Sequence, residues 1–332
     1  MIGETLWERP LHQRGSASAF AVAEGSVVVH ERRSRLVCLD AADGAVRWDV
    51  PLGTWPRDLV VAGDRCLALP QRPAHLSCLD PRTGAVVWQV ALPHHSGHVV
   101  PVADTVLVGG WRGYTPLAAF DLRDGSRVWR TPTPVRTALP LPWGGGVLLG
   151  YDREAWLIDP RDGGERARWR LPEPLADGEP GPVFTALGPD RCLARCGRRS
   201  VVALHLPSGR VEELLRHDAD LLPEAPRLVG GALWLRESRA GYLVADPADG
   251  SPLWRVDTEH ASAPGVVRTE DGFVVAGEHG VLFRVGRDGR VRERSWVARR
   301  IGGLRDMGDG KAVVTTKGTL RAVACAPRPS AG

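Results

Sequence analysis

Lysine is almost missing from this chain: Lys311 and Lys317 are the only two, so nearly all of its 43 basic residues are arginine. We take that bias as the mark of a GC-rich, actinobacterium-like genome rather than of a function. The basic residues form no run, and the net charge of +4 is small for 332 residues. A nucleic-acid partner and a polybasic membrane segment are therefore not expected. No stretch reaches 18 apolar residues, and the opening MIGETLWERP carries neither an apolar signal core nor a lipobox-like cysteine. A cytoplasmic protein without membrane association is expected. A nucleophile elbow around serine, a phosphate-cradling glycine loop and a Cys-x-x-Cys pair are all absent. The cysteines read as small core residues instead of a disulfide framework, because Cys38, Cys78 and Cys325 fall at or near one repeat position and Cys66 and Cys192 share another. Long helix-forming runs are few, whereas 39 Gly, 27 Pro and 43% apolar residues suit many short strands joined by tight turns.

Self-similarity carries most of the information. LVCLDAADGAVRWDV (36–50), LSCLDPRTGAVVWQV (76–90), LAAFDLRDGSRVWRT (117–131) and YLVADPADGSPLWRV (242–256) are one pattern. Weaker copies run over 155–171, with two extra residues assigned to its turn, 201–215 and 281–295. Each copy is an apolar strand, a turn of Asp, Pro and Gly, and a second strand with an anchor Trp. Trp7, Trp48, Trp88, Trp129, Trp169 and Trp254 are assigned to that anchor position, with Glu213 and Glu293 in two decayed copies. A large flat ring there suits wedging between neighbouring sheets, its N–H on an acceptor.

Ahead of the outer hairpins lie eight inner ones with Gly/Asp turns, such as DLVVAGDRCLAL and PRLVGGALWLR, but only seven are followed by a complete outer hairpin. The eighth is completed by pairing TLRAVACA (319–326) with the lone Trp-bearing segment at residues 4–10, which closes an otherwise open edge. The expectation is an all-β, eight-bladed β-propeller of four-stranded antiparallel blades over residues 1–326, with a disordered tail at 327–332.

The pattern small-x-Asp-x-x-(Thr/Asp)-Gly-x-x-x-Trp, as from Cys78 through Asp80 and Gly84 to Trp88, resembles the tryptophan-docking motif of the PQQ-like propeller family. That family includes quinone-dependent alcohol dehydrogenases and non-enzymatic relatives such as the outer-membrane-assembly scaffold and kinase sensor propellers. The resemblance implies the fold and not a chemistry. Family dehydrogenases hold the quinone with adjacent cysteines and a metal through carboxylates and an Asn. This chain has no adjacent cysteines and no Asn at all, so no cofactor and no metal are expected.

In a propeller the hairpin turns lie on one rim and the remaining connections on the other. The second rim collects His12, His30, His75, His94, His95, His98, His217, His260 and His279, leaving His205 elsewhere. With them fall Trp111, Arg112 and Tyr114; Tyr151, Asp152, Arg153 and Glu154; Arg195 and Cys196; Arg236, Glu237 and Glu278. Arg57, Arg136, Arg227 and Arg300 lie near the starts of innermost strands. The expected ligand-binding set is His30, Arg57, His94, His95, Trp111, Arg112, Arg136, Arg195, Arg227, Arg236, Glu278 and His279, a partly cationic rim suited to carboxylates.

The leading expectation is a binding or scaffold propeller engaging a small anionic molecule or a protein partner there. The alternative is a cofactor-independent isomerase, lyase or cyclase of a specialised pathway, using His98, Tyr114, Tyr151 and Glu154 as acid and base. His94, His95 and His98 are close in sequence but fit no standard metal spacing. The long connections at 171–182 and 216–224 bring Asp177, Glu179, His217, Asp218 and Asp220 as further candidates. Cys196 with His217 is a conceivable thiol–imidazole pair.

Overall fold

The structure is a computed structural model that describes residues 2–11, 19–31, 34–176, 181–239, 241–260, 262–316 and 318–325. His12, Asp177, Glu179 and the tail at 327–332 lie outside the described residues.

Burial follows the apolar pattern of each repeat. In the second blade, Arg65–Arg72 and His75–Leu79 are buried along most of their lengths, whereas Val86–Ala91 buries only Trp88. Strands covered on both faces read as continuous apolar runs, and a half-covered outer strand does not. Eight four-stranded antiparallel sheets result. Residues 20–51, 54–91, 99–134, 141–170, 184–216, 227–256 and 262–296 form blades one to seven. The eighth pairs Thr5–Pro10 with Thr319–Ala324, followed by Lys311–Thr315 and Gly303–Gly308. The fold is an eight-bladed β-propeller, and one 3-10 turn at Trp111–Gly113 is the only helical element among the described residues.

The chain divides into two compact units, residues 1–49 with 227–332 and residues 50–226. In the first, Arg9 is opposite Leu320 and Trp7 opposite Ala322, and both Trp7 and Leu320 enter a core with Val27, Val29 and Leu39. In the second, successive blades share cores such as Leu67, Leu69, Trp88, Val106 and Phe120. All six cysteines are free and buried.

The outer turns explain the repeat at atomic level. Asp40, Asp80, Asp121 and Asp246 each accept, through Oδ1, the backbone N–H two residues on at 2.7 Å, and Asp159 does so at 2.9 Å. Such Asx turns hold the chain for the left-handed glycine that follows, for example Gly44 at φ +73°. The anchor Trp of one blade lies on the turn of the next. Trp7, Trp88 and Trp129 donate through Nε1 to the carbonyls of Ala41, Leu122 and Pro160 at 3.0, 2.9 and 2.8 Å. A Cβ on Gly44 would sit 2.8 Å from the Trp7 ring, and one on Gly125 2.7 Å from Trp88, so only glycine admits the indole.

Two repeats depart from expectation. The fourth blade has no extra residues, and its turn keeps the same Gly163-to-Asp159 bond as its neighbours. Its outer strand, Glu165–Arg170, has six residues like Val86–Ala91, and Leu157 faces Ala167 as Cys78 faces Trp88, while Trp169 faces Ala155. Ala167 therefore holds the anchor position, and Trp169 packs against Trp143 at 5.7 Å with its buried Nε1 unpartnered. In the seventh blade the turn is one residue shorter, with Gly289 bonded to Gly286 where other repeats span four residues. The accepting carbonyl is lost with that residue, and the Nε1 of Trp254, which still lies over Gly289, is buried without a partner.

The turn aspartates make an acid-stability prediction. Amide hydrogen bonds from Ala42, Ser126, Ser251 and Arg290 hold Asp40, Asp124, Asp249 and Asp288 below the ordinary 3.8, and Arg123 does so for Asp121. A carboxylate depressed in the fold contributes stability that is complete above its unfolded pKa and is lost as pH falls through the folded one. Stability should decline below about pH 4. The triple variant Asp40→Asn, Asp121→Asn, Asp249→Asn, whose amide oxygens still cap the turns, should show a shallower acid limb in urea titrations at stepped pH. An unchanged limb would refute the assignment.

Candidate functional site

In the unit formed by residues 50–226, the connections of blades two to four bring several candidates together. Gln71 holds the His94–His98 loop from both sides, accepting from the His95 N–H at 2.9 Å and donating to the Ser96 carbonyl at 2.8 Å. His94 and His95 are exposed, whereas His98 is buried, at φ +59° and within 3.9 Å of where a Gly110 side chain would start. Gly97 is bare for a reason: its Cβ would lie 2.6 Å from that of Trp111.

Trp111 is the hub. The Arg57 guanidinium stacks 3.5 Å from the ring centroid and that of Arg112 lies at 5.0 Å, while Tyr114 meets the indole edge-on at 5.3 Å. His95 packs on Tyr114 at 5.5 Å. Two guanidiniums on one indole form a cationic, aromatic cluster of the composition that pairs with carboxylates. Beyond Gly113, which approaches the Arg136 side chain, Arg136 lies 4.4 Å over Tyr151. Tyr151 and Arg136 border a cavity of about 170 Å³ with Asp152, Leu139, Leu175 and Val183.

Other candidates have different roles. Glu154 faces Tyr151 across the strand pair, but its carboxylate binds Arg168 at 2.7 Å. Glu154 is thus paired with a neighbour, and of the other three, His98 is buried whereas Tyr114 and Tyr151 are exposed. Arg195 is a correction: it is 1% exposed, and its guanidinium donates to the carbonyls of Cys196, Arg198, Ser200, Leu221 and Leu222, which uses every N–H it has. It is a buried clamp and not a rim ligand. Burial also pushes the Cys196 thiol up to about 12, so a thiolate paired with His217 is disfavoured at neutral pH.

The unit formed by residues 1–49 and 227–332 holds the rest. His30 is buried in Ser26–Glu31, and Arg227 is exposed at the start of the sixth blade. Arg236 donates to the Ser262 hydroxyl at 3.2 Å and lies 3.9 Å from Glu278, which in turn is 3.6 Å from Arg300. His279 packs edge-on against His260 at 4.3 Å. Sequence reasoning missed Gln71 as a positioning residue, and missed Leu139, Leu175 and Val183 as cavity walls. No repeat or motif marks them: Gln71 is at the end of the strand Arg65–Arg72, and the other three lie in connections of unequal length.

The family model described as outer membrane protein assembly factor BamB matches residues 2–70 and 72–220. The chain belongs to this PQQ-like propeller family. BamB from Moraxella catarrhalis is similar over 98% of this chain and 100% of its own, at 16% identity and a TM-score of 0.75. The computationally designed Ika8 protein matches at 13% identity over 97% and 100%, with a TM-score of 0.77. The dihydro-heme d1 dehydrogenase NirN, solved in complex with DHE, matches at 15% identity over 92% and 71%, with a TM-score of 0.71. At such identities the likeness shows the fold alone, and no curated protein matches the chain. The donor set for a quinone and its metal does not fit this BamB-type chain. Its cysteines are singly buried, asparagine is missing, and among the described residues no three His, Cys, Asp or Glu side chains converge.

Proposed function

We propose that this BamB-type propeller is a cytoplasmic binding or scaffold module that engages an acidic protein segment through Arg57, Arg112, Trp111, Tyr114 and His95. The carrying observation is the pair of guanidiniums on one indole beside exposed Tyr114 and His95. Aromatic and arginine side chains clustered on a rigid scaffold are the usual anchors of protein interfaces. Membership of a family described by an assembly factor supports the same reading.

A fluorescein-labelled Asp/Glu-rich peptide followed by anisotropy tests it. Binding should weaken steeply with salt, and the double variant Arg57→Ala, Arg112→Ala should lose about tenfold or more in affinity. Equal affinity in the variant, or none in the parent chain, overturns the proposal.

A further inference from the structure

The cavity beside Arg136 and Tyr151 has a chemistry of its own. At about 170 Å³ it is smaller than the roughly 300–1,000 Å³ of cofactor and drug-sized sites, a size that suits a small metabolite. Its floor is apolar, from Leu139, Leu175 and Val183, while Arg136 and Asp152 stand at its border with opposite charges.

Several charged groups of the same unit are spent on neighbours. Arg168 binds Glu154 and Glu165, Arg199 binds Asp220, and Arg216 binds Glu173. Arg136 instead makes no hydrogen bond or ion pair with a described residue and lies over the Tyr151 face, and no described residue pairs with the Asp152 carboxylate, although both line one cavity. A guanidinium flat on a ring keeps its N–H edge available for a bidentate carboxylate.

The walls are fixed by the backbone. Asp152 is held at φ +53°, and its carbonyl accepts the Leu175 N–H at 2.6 Å, which sets acid and floor together. A Cβ on Gly150 would collide with Phe184 and Leu175 at 2.5 and 2.6 Å, and the Thr137 hydroxyl accepts the Gly150 N–H at 2.9 Å. These contacts hold Gly150, Asp152 and Leu175 in place relative to one another.

We propose that it binds a free aliphatic α-amino acid as its zwitterion, with the carboxylate on Arg136, the ammonium on Asp152 and the side chain on the Leu139, Leu175 and Val183 floor. Both charges are needed: a dicarboxylate meets Asp152 and a diamine meets Arg136, each with repulsion. This goes beyond the acidic-partner reading, and either can fail while the other stands, since the peptide and the amino acid are titrated separately.

The test is isothermal titration of the full chain with L-leucine, L-leucinamide, N-acetyl-L-leucine, N-acetyl-L-leucinamide and glycine. L-leucine should bind at one saturable site, and removal of either charge should weaken it by about tenfold or more, as should Arg136→Gln or Asp152→Asn at unchanged Tm. Glycine, lacking a side chain for the floor, should bind more weakly than leucine. If N-acetyl-L-leucinamide binds as well as L-leucine, the cavity is an anchor for a peptide side chain and the proposal falls. It falls equally if no compound binds.

Discussion

Removal of residues 1–10 is expected to leave a chain that no longer unfolds in one sharp thermal transition. Three losses coincide in the unit that holds these residues. The ladder between Thr5–Pro10 and Thr319–Ala324 disappears, exposing the latter as an open edge. Trp7 is withdrawn from its core and from the Ala41 carbonyl, a change of the kind that costs about 3–5 kcal/mol by itself. Ile2, fully buried among Val297, Ile301 and Cys325, goes with it, as does its N–H bond to Glu293 at 3.0 Å. Together these approach the roughly 5–15 kcal/mol that stabilises a whole domain. Calorimetry should show a broadened or missing transition, and size-exclusion chromatography should show association through the bared edge. Trp7→Ala, which keeps the ladder, should retain a single transition at lower Tm. A truncated chain melting sharply within a few degrees of the parent would show that closure is dispensable.

That closure was legible in the sequence because it follows from counting. Eight inner hairpins and seven outer ones leave one strand short, and Trp7 is the one anchor without a strand before it. The Asx turns were legible too, since Asp and Gly at fixed spacing have few other uses. Trp169 was misassigned because taking the Trp as the anchor makes the hairpin look two residues longer than its neighbours, whereas Asp159, Gly163 and Ala167 keep the spacing of Asp80, Gly84 and Trp88. The register puts Ala167 opposite Leu157 as Trp88 is opposite Cys78, and Trp169 lies two residues further on, on the same face of the pleat.

The rim was legible only in part. Trp111, Arg112 and Tyr114 were singled out because they are unusual residues in a short connection, and Arg57 because it lies near a strand start; the structure clusters them around one indole. The cavity walls went unseen, since Leu139, Leu175 and Val183 come from segments with no repeat to index them. Arg195 was misread for the opposite reason. An arginine beside a connection looks solvated in sequence, and nothing local reveals that five carbonyls from two loops converge on it.

Arg195→Met should therefore destabilise the chain by about 3–5 kcal/mol, the cost of stripping a buried charged group from its partners. The guanidinium is 1% exposed, and desolvation holds its pKa down to about 10. It remains charged at neutral pH, and the convergent carbonyls offset the lost hydration. Methionine fills much of the volume but donates nothing, so the carbonyls of Ser200, Arg198 and Leu222 are left without that donor. The same bonds tie the connection at 221–222 to the hairpin at 196–200, so local loosening should accompany the global loss. Arg195→Lys should recover only part of the stability, because an ammonium offers three donors on a point charge where the guanidinium offers a planar fork of five. Urea unfolding gives the free energies, and hydrogen exchange at Ala176, His217 and Leu221, whose amides bond to Arg195, Arg199 and Arg198, reports the loosening. A loss below about 1 kcal/mol with unaltered exchange would mean that water replaces the clamp at little cost, and would return Arg195 to the set of residues free to meet a ligand.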